Sequence, residues 1–139
     1  MELQKLSNLL HRIKNLENRL CKNFEESTGF SLTRYEMLMF LRDHNSCLQV
    51  DIQSYLKIDQ AAITRHLKIL ESKGLVTRVR NVDNNREIFV SLTEKAREEL
   101  AHCQLSSKDS DESVNLSIDK KDLEELEDVL CRIENCIEK

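Results

Sequence analysis

Residues 57–97 read KIDQAAITRHLKILESKGLVTRVRNVDNNREIFVSLTEKAR. Ile63, Leu67 and Leu70 recur at steps of four and three, so residues 60–73 are predicted to form a helix with one apolar face. Asp59 stands where its carboxylate can cap the first turn, and Gly74 stands where a helix is ended by a left-handed residue. Beyond Gly74 the period changes. LVTRVRN (75–81) and REIFVSL (86–92) read as strands, with Ile88, Val90 and Leu92 alternating with Glu87, Phe89 and Ser91. The polar link VDNN (82–85) tolerates turn geometry. The stretch is therefore a helix followed by a β-hairpin.

Upstream, the tight turn KID (57–59) follows a short helix at residues 48–56, with Leu48, Ile52, Tyr55 and Leu56 expected to face inward. Thr33 and Glu36 have the spacing of a capping box, and Leu32 and Met37 that of a hydrophobic staple, so a helix is expected over 34–43. Residues 2–27 carry Leu6, Leu9, Ile13, Leu16, Leu20 and Phe24 at helical steps, with Leu3 and Leu10 widening the stripe and Gly29 ending it. Downstream, Thr93 is expected to cap a helix running to about Leu105, and the polar residues 106–117 read as a mobile loop. Asp119 then caps a last helix striped by Leu123, Leu126, Leu130, Ile133 and Ile137, with Ile118 and Leu123 as its staple.

Two helices joined by a tight turn and followed by a hairpin make a winged helix-turn-helix, whose second helix enters the major groove of duplex DNA. The expected fold is mainly α with a small β-hairpin wing. The chain reads as one domain, 1–139, with residues 32–97 as the DNA-binding part and 1–28 and 98–139 as flanking helical parts.

Composition agrees. The chain has 139 residues, 40% apolar and 33% charged, with no proline and two glycines, a composition for a soluble, mostly helical protein. No apolar run nears the ~18 residues of a membrane span, and no export signal opens the chain, so no membrane partner and a cytoplasmic location are expected. The net charge of −4 is unevenly spread: residues 57–97 hold nine lysines and arginines against five acids, net +4, while residues 98–139 hold five against thirteen, net −8.

On the helix at 60–73, Ala61, Thr64, Arg65 and Lys68 share the face opposite the apolar stripe, and Gln60 lies at its N-terminal end. These residue types suit base edges: arginine bonds guanine, glutamine bonds adenine, and an alanine or threonine methyl meets the thymine methyl. Lys68 and Lys73 suit phosphates, which position without specifying. The hairpin adds Arg78, Arg80 and Arg86, of which Arg86, near the tip, is the expected minor-groove probe. The plainer reading pairs these arginines with Asp83 and Glu87.

The stretch from Leu48 to Thr93 resembles the multiple antibiotic resistance regulator (MarR) family. The matching pieces are AAITRHLKILESKGLV, Arg78 just after it, FVSLTEKA at the strand-to-helix junction, and LTRYEMLMFL before them. The resemblance implies a homodimer held by interlocked N- and C-terminal helices, in line with their apolar stripes. It also implies a transcriptional regulator, here expected to be a repressor on a pseudo-palindromic operator with half-sites about one turn (~10 bp) apart. Two positions depart from the family pattern. Asn84 stands where an acidic residue is usual two places before the tip arginine, with Asp83 one residue earlier, and Asp59 stands where a hydroxyl residue is common.

The family responds to phenolic ligands, metals or oxidants, so a small-molecule or oxidant inducer is expected. Among the five cysteines, Cys21 beside Lys22 is the candidate redox thiol, with Cys131 as a cross-dimer partner; the family's peroxide-sensing branch carries its cysteine nearer the start of the first helix. Cysteines that simply fill small core spaces are the bland alternative. His11, His44, His66 and His102 form no tight ligand pair, so neither a metal site nor a cofactor is expected. Without a phosphate loop or a nucleophile–base motif, the chain does not read as an enzyme. The remaining alternative is a winged helix that binds protein, which should expose apolar residues where DNA readers carry polar ones.

Overall fold

The computed structural model describes residues 2–109 and 118–138. Helix α1 (Leu3–Thr28) ends where Gly29 takes φ 81° and returns its amide to the Glu25 carbonyl. Helix α2 (Leu32–His44) is capped by Ser31, whose hydroxyl accepts from the Arg34 amide at 3.4 Å. The expected Thr33–Glu36 box is thus displaced by two residues. The Phe30 amide bonds the Thr28 hydroxyl at 3.1 Å, so the chain turns at once and Ser31 arrives first at the helix start.

Strand β1 (Ser46–Leu48) was not expected; α3 (Gln49–Leu56) follows it directly. Ile52 of α3 is buried and Leu56 half-buried. Tyr55, expected to face inward, is 56% exposed, with its ring 4.7 Å from that of Phe40. The inward face of α3 begins instead with Gln49, and Tyr55 falls off the Gln49–Ile52–Leu56 stripe.

Helix α4 (Gln60–Ser72) begins as expected, with the Asp59 carboxylate accepting from the Ala62 amide at 2.8 Å. It closes in a Schellman motif: Gly74 takes φ 74°, the Leu75 amide reaches the Leu70 carbonyl, and the Gly74 amide reaches Glu71. Strands β2 (Val76–Arg80) and β3 (Ile88–Leu92) form the hairpin, and β1 joins its far side to give the antiparallel order β1-β3-β2. The Thr93 hydroxyl accepts from the Ala96 amide at the start of α5 (Glu94–Asp109). Helix α5 runs four residues past Leu105, so the first part of the expected loop is helical; positions 110–117 lie outside the described residues. Asp119 precedes α6 (Lys120–Ile137), but the cap it was expected to provide is made by its backbone alone, through its carbonyl to the Leu123 amide.

The core draws on α2 to α5 and the sheet. Met37, Leu38, Leu41, Ile52, Ile63, Leu67, Leu70 and Val90 are fully shielded, with Ala96 and Leu100 closing it from α5. Neither α1 nor α6 has a buried residue. Leu10, Ile13 and Leu16 on α1, and Leu126, Leu130 and Ile133 on α6, are each about half exposed.

Candidate nucleic-acid interface

Three inward residues fix the rotation of α4. With Ile63, Leu67 and Leu70 in the core, the opposite face points out, and Gln60, Ala61, Thr64, Arg65 and Lys68 line one shallow concavity with Ile69. The structure thus brings together five of the residues expected to meet DNA. Lys73 is not among them. It sits at the C-terminus of α4, where its carbonyl accepts from Lys95 Nζ at 2.9 Å. Thr64 has a partner that sequence reasoning missed: its hydroxyl oxygen accepts from Gln49 Nε2 at 3.1 Å.

The three wing arginines diverge. Arg78 turns back to α4 and pairs with Glu71 at 3.1 Å, its side chain only 16% exposed and its Nε buried without a partner. Arg80 donates to the Asn85 carbonyl, inside the wing. Arg86 is exposed and has no ion-pair partner among the described residues. The tip is shaped by side-chain turns: Asn81 Oδ1 accepts from the Asp83 amide, and Asn84 Oδ1 accepts from the Arg86 amide. A neutral Asn84 therefore supplies an acceptor at the position where an acid is usual. Glu87, the expected pairing partner for an arginine, instead accepts from Asn81 Nδ2.

Two cavities lie away from this face. One, of about 890 Å³, sits between the α1–α2 junction, the end of α4 and α5, and includes Phe30, Arg34, Leu75, Lys95, His102 and Cys103 in its wall. Its lining is scattered over four elements, which is why no local sequence signal marked it. The other brings Cys21 and Lys22 near Arg34 at the start of α2 and His66 on α4. The His66 Nδ1 is buried without a partner, and burial, then the neighbouring Arg34 and Arg65, hold its pKa below the ordinary histidine value. Cys21 is half-buried and Cys131 exposed. Burial, with a smaller contribution from Asp51, pushes the Cys47 thiol up to about 11. Burial also raises the pKa of Cys103, whose thiol donates to the Thr28 carbonyl. Among the described residues, no group of three or more His, Cys, Asp or Glu side chains is placed to hold a metal ion. No described helix is long and apolar enough to cross a membrane.

A sequence model described as the MarR family matches residues 30–88. YdgJ of Bacillus subtilis, described as an HTH-type transcriptional regulator, is 34% identical over 129 residues, covering 93% of this chain and 79% of its own length. The multiple antibiotic resistance protein MarR of Escherichia coli is 27% identical over 92 residues, 66% of this chain and 64% of that protein. Among solved structures, a mutant E. coli MarR complexed with operator DNA aligns with a TM-score of 0.78 at 22% identity, over 96% of this chain and 99% of that one. Reduced AbfR bound to DNA aligns at 0.74 and 22% identity over the whole of both chains. These two likenesses show the fold, terminal helices included.

Proposed function

Because the chain belongs to the MarR family of winged helix-turn-helix transcriptional regulators, we propose that it is a repressor that occupies a pseudo-palindromic operator as a homodimer. The observation that carries this reading is the outward face of α4, where Gln60, Ala61, Thr64, Arg65 and Lys68 lie together opposite the buried stripe. In this reading Arg65 and Gln60 read base edges, Lys68 and Lys73 hold phosphates, and Arg86 enters the adjacent minor groove. Arg78 and Arg80 act by holding the wing in place.

The dimer reading rests on α1 and α6. A side chain such as Leu16 or Leu126, left half in water, forgoes on the order of 1 kcal/mol of burial. A second copy would recover it along both stripes. Release of the operator follows from a small ligand in the larger cavity or from oxidation at Cys21, with Cys131 as the cross-dimer partner.

One observation favours a protein partner instead: Val79, Val82 and Phe89 on the wing are exposed apolar side chains. Gel shifts with the DNA upstream of the protein's own coding region separate the two readings. Arg65→Ala should weaken specific binding by about 1–3 kcal/mol. An unchanged affinity would remove α4 as the reading element, and a salt-independent affinity would favour the protein partner.

A further inference from the structure

Gln49 is the one polar residue in the buried interior among the described residues, 8% exposed at the start of α3. Its Nε2 donates to Thr64 Oγ1 at 3.1 Å, across the helix-turn-helix, while its Oε1 is shielded and unpartnered. A buried amide held by a single bond, with its oxygen unpartnered, carries a desolvation cost that calls for an explanation. A threonine hydroxyl has one proton to donate and two lone pairs. Within a helix that proton commonly goes to the carbonyl four residues back, as Thr28 does with Phe24 at 2.8 Å. Thr64 makes no such bond among the described residues; one lone pair is taken by Gln49, which leaves the proton available to a partner at the α4 face that Thr64 lines.

We propose that Gln49 is a specificity-determining positioning residue, which fixes the Thr64 hydroxyl as a hydrogen-bond donor toward the base it meets. This rests on the reading of α4 as the DNA-reading helix. In the major groove, guanine N7 and O6, adenine N7 and thymine O4 accept a hydrogen bond, whereas cytosine offers the N4 donor. A donor-locked Thr64 therefore disfavours cytosine at one position of each half-site. A carboxylate at position 49 can only accept. It would take the Thr64 proton, turn the hydroxyl lone pairs outward and reverse that preference.

The test is selection from a library of duplexes with a randomised core at fixed salt, using the wild type, Thr64→Val, Arg65→Ala, Gln49→Met and Gln49→Glu. Selection reads only the protein that folds and binds, so loss of stability does not imitate a change of preference. The proposal expects Thr64→Val to flatten one position per half-site at which the wild type disfavours cytosine. Gln49→Met should flatten the same position, by about fivefold for the loss of one neutral hydrogen bond. Gln49→Glu should move that position toward cytosine, and in the Thr64→Val background neither change at 49 should matter. The proposal is overturned if both Gln49 variants keep the wild-type preference there. It is also overturned if the wild type already favours cytosine and Gln49→Glu retains that, since the amide would then present its oxygen. If Arg65→Ala alters the selected sequences and Thr64→Val does not, the proposal fails while the DNA reading stands. If no variant alters them, the DNA reading fails as well.

Discussion

Arg78 on the first wing strand and Glu71 on the last turn of α4 form an ion pair at 3.1 Å across the Gly74 turn. The pair ties the wing to the helix beside it. The Arg78 hydrogen bond is the main cause holding the Glu71 carboxyl below its ordinary range, with burial opposing and the Arg78 charge adding to the fall. A double-mutant cycle of Arg78→Ala and Glu71→Ala, read by thermal denaturation, should give a coupling of up to about 1 kcal/mol. A carboxyl with a lowered folded-state pKa contributes fully above its unfolded value and loses that contribution as pH falls through the folded one. The coupling should therefore be intact at pH 7, start to fall only as pH drops through the ordinary carboxyl range, and be lost below that range, as the lowered folded pKa is passed. A coupling of zero at neutral pH would make the pair incidental.

Lys68 and Arg65 lie on the same face of α4 but should fail differently. Lys68→Ala should weaken binding to all duplexes alike and lower the salt slope by about 1, while Arg65→Ala should cost most on the preferred duplex. Binding titrations at several salt concentrations, on preferred and scrambled duplexes, distinguish them. Equal effects of both changes on both duplexes would contradict the division of roles.

The terminal stripes predict a second copy. Ile13→Asp on α1 and Leu126→Asp on α6 should each convert a dimer to a monomer in analytical ultracentrifugation. Operator affinity should drop on the order of 10²-fold or more, because a monomer loses the second half-site. A wild type that sediments as a monomer at micromolar concentration would refute the dimer.

The thiols should not react alike. With its pKa near 11, Cys47 holds about one part in 10⁴ as thiolate at pH 7. Exposed Cys131 and Cys136 should be alkylated by iodoacetamide well before Cys47, as read by mass spectrometry of the native protein. For the switch itself, Cys21→Ser should abolish release by diamide; release that survives the change would remove Cys21 from that role.

His66 supplies a pH dependence of its own. Its folded-state pKa lies below the unfolded value, so the unfolded chain binds the proton more readily, and stability falls as pH drops below about 6.5. Denaturant melts between pH 7.5 and 5.5 should show a smaller acid loss for His66→Gln than for the wild type. Equal losses would place the titration elsewhere.

Much of this fold is legible in the residues. Helix α4 is marked at both ends by Asp59 and Gly74 and along its length by Ile63, Leu67 and Leu70, so its outward face follows from periodicity. Strand β1 is different: three residues carry no period, and the strand exists only because Ser46 to Leu48 meet Ser91 to Phe89 some 45 residues later. The plainer reading pairs Arg78 with Asp83 and Glu87 on its own hairpin, whereas its partner Glu71 lies on the preceding helix, brought back beside the strand by the Gly74 turn. Gln49 carries no signal of burial, because an amide at the start of a helix reads as surface. Only the crossing of α3 over α4 buries it.

The Thr93 junction has a mechanical consequence. The Thr93 hydroxyl contacts the carbonyls of Gly74 and Leu75, its amide returns to Leu75, and Lys95 holds the carbonyl of Lys73. The two feet of the hairpin are thereby stapled together at the point where α4 stops and α5 starts. A rotation of α5 cannot be absorbed by flexing the wing. It would swing α4 and the hairpin as one lever, so that in the proposed dimer a small tilt at the flanking helices would be enlarged into a change in spacing between two copies of the α4 face.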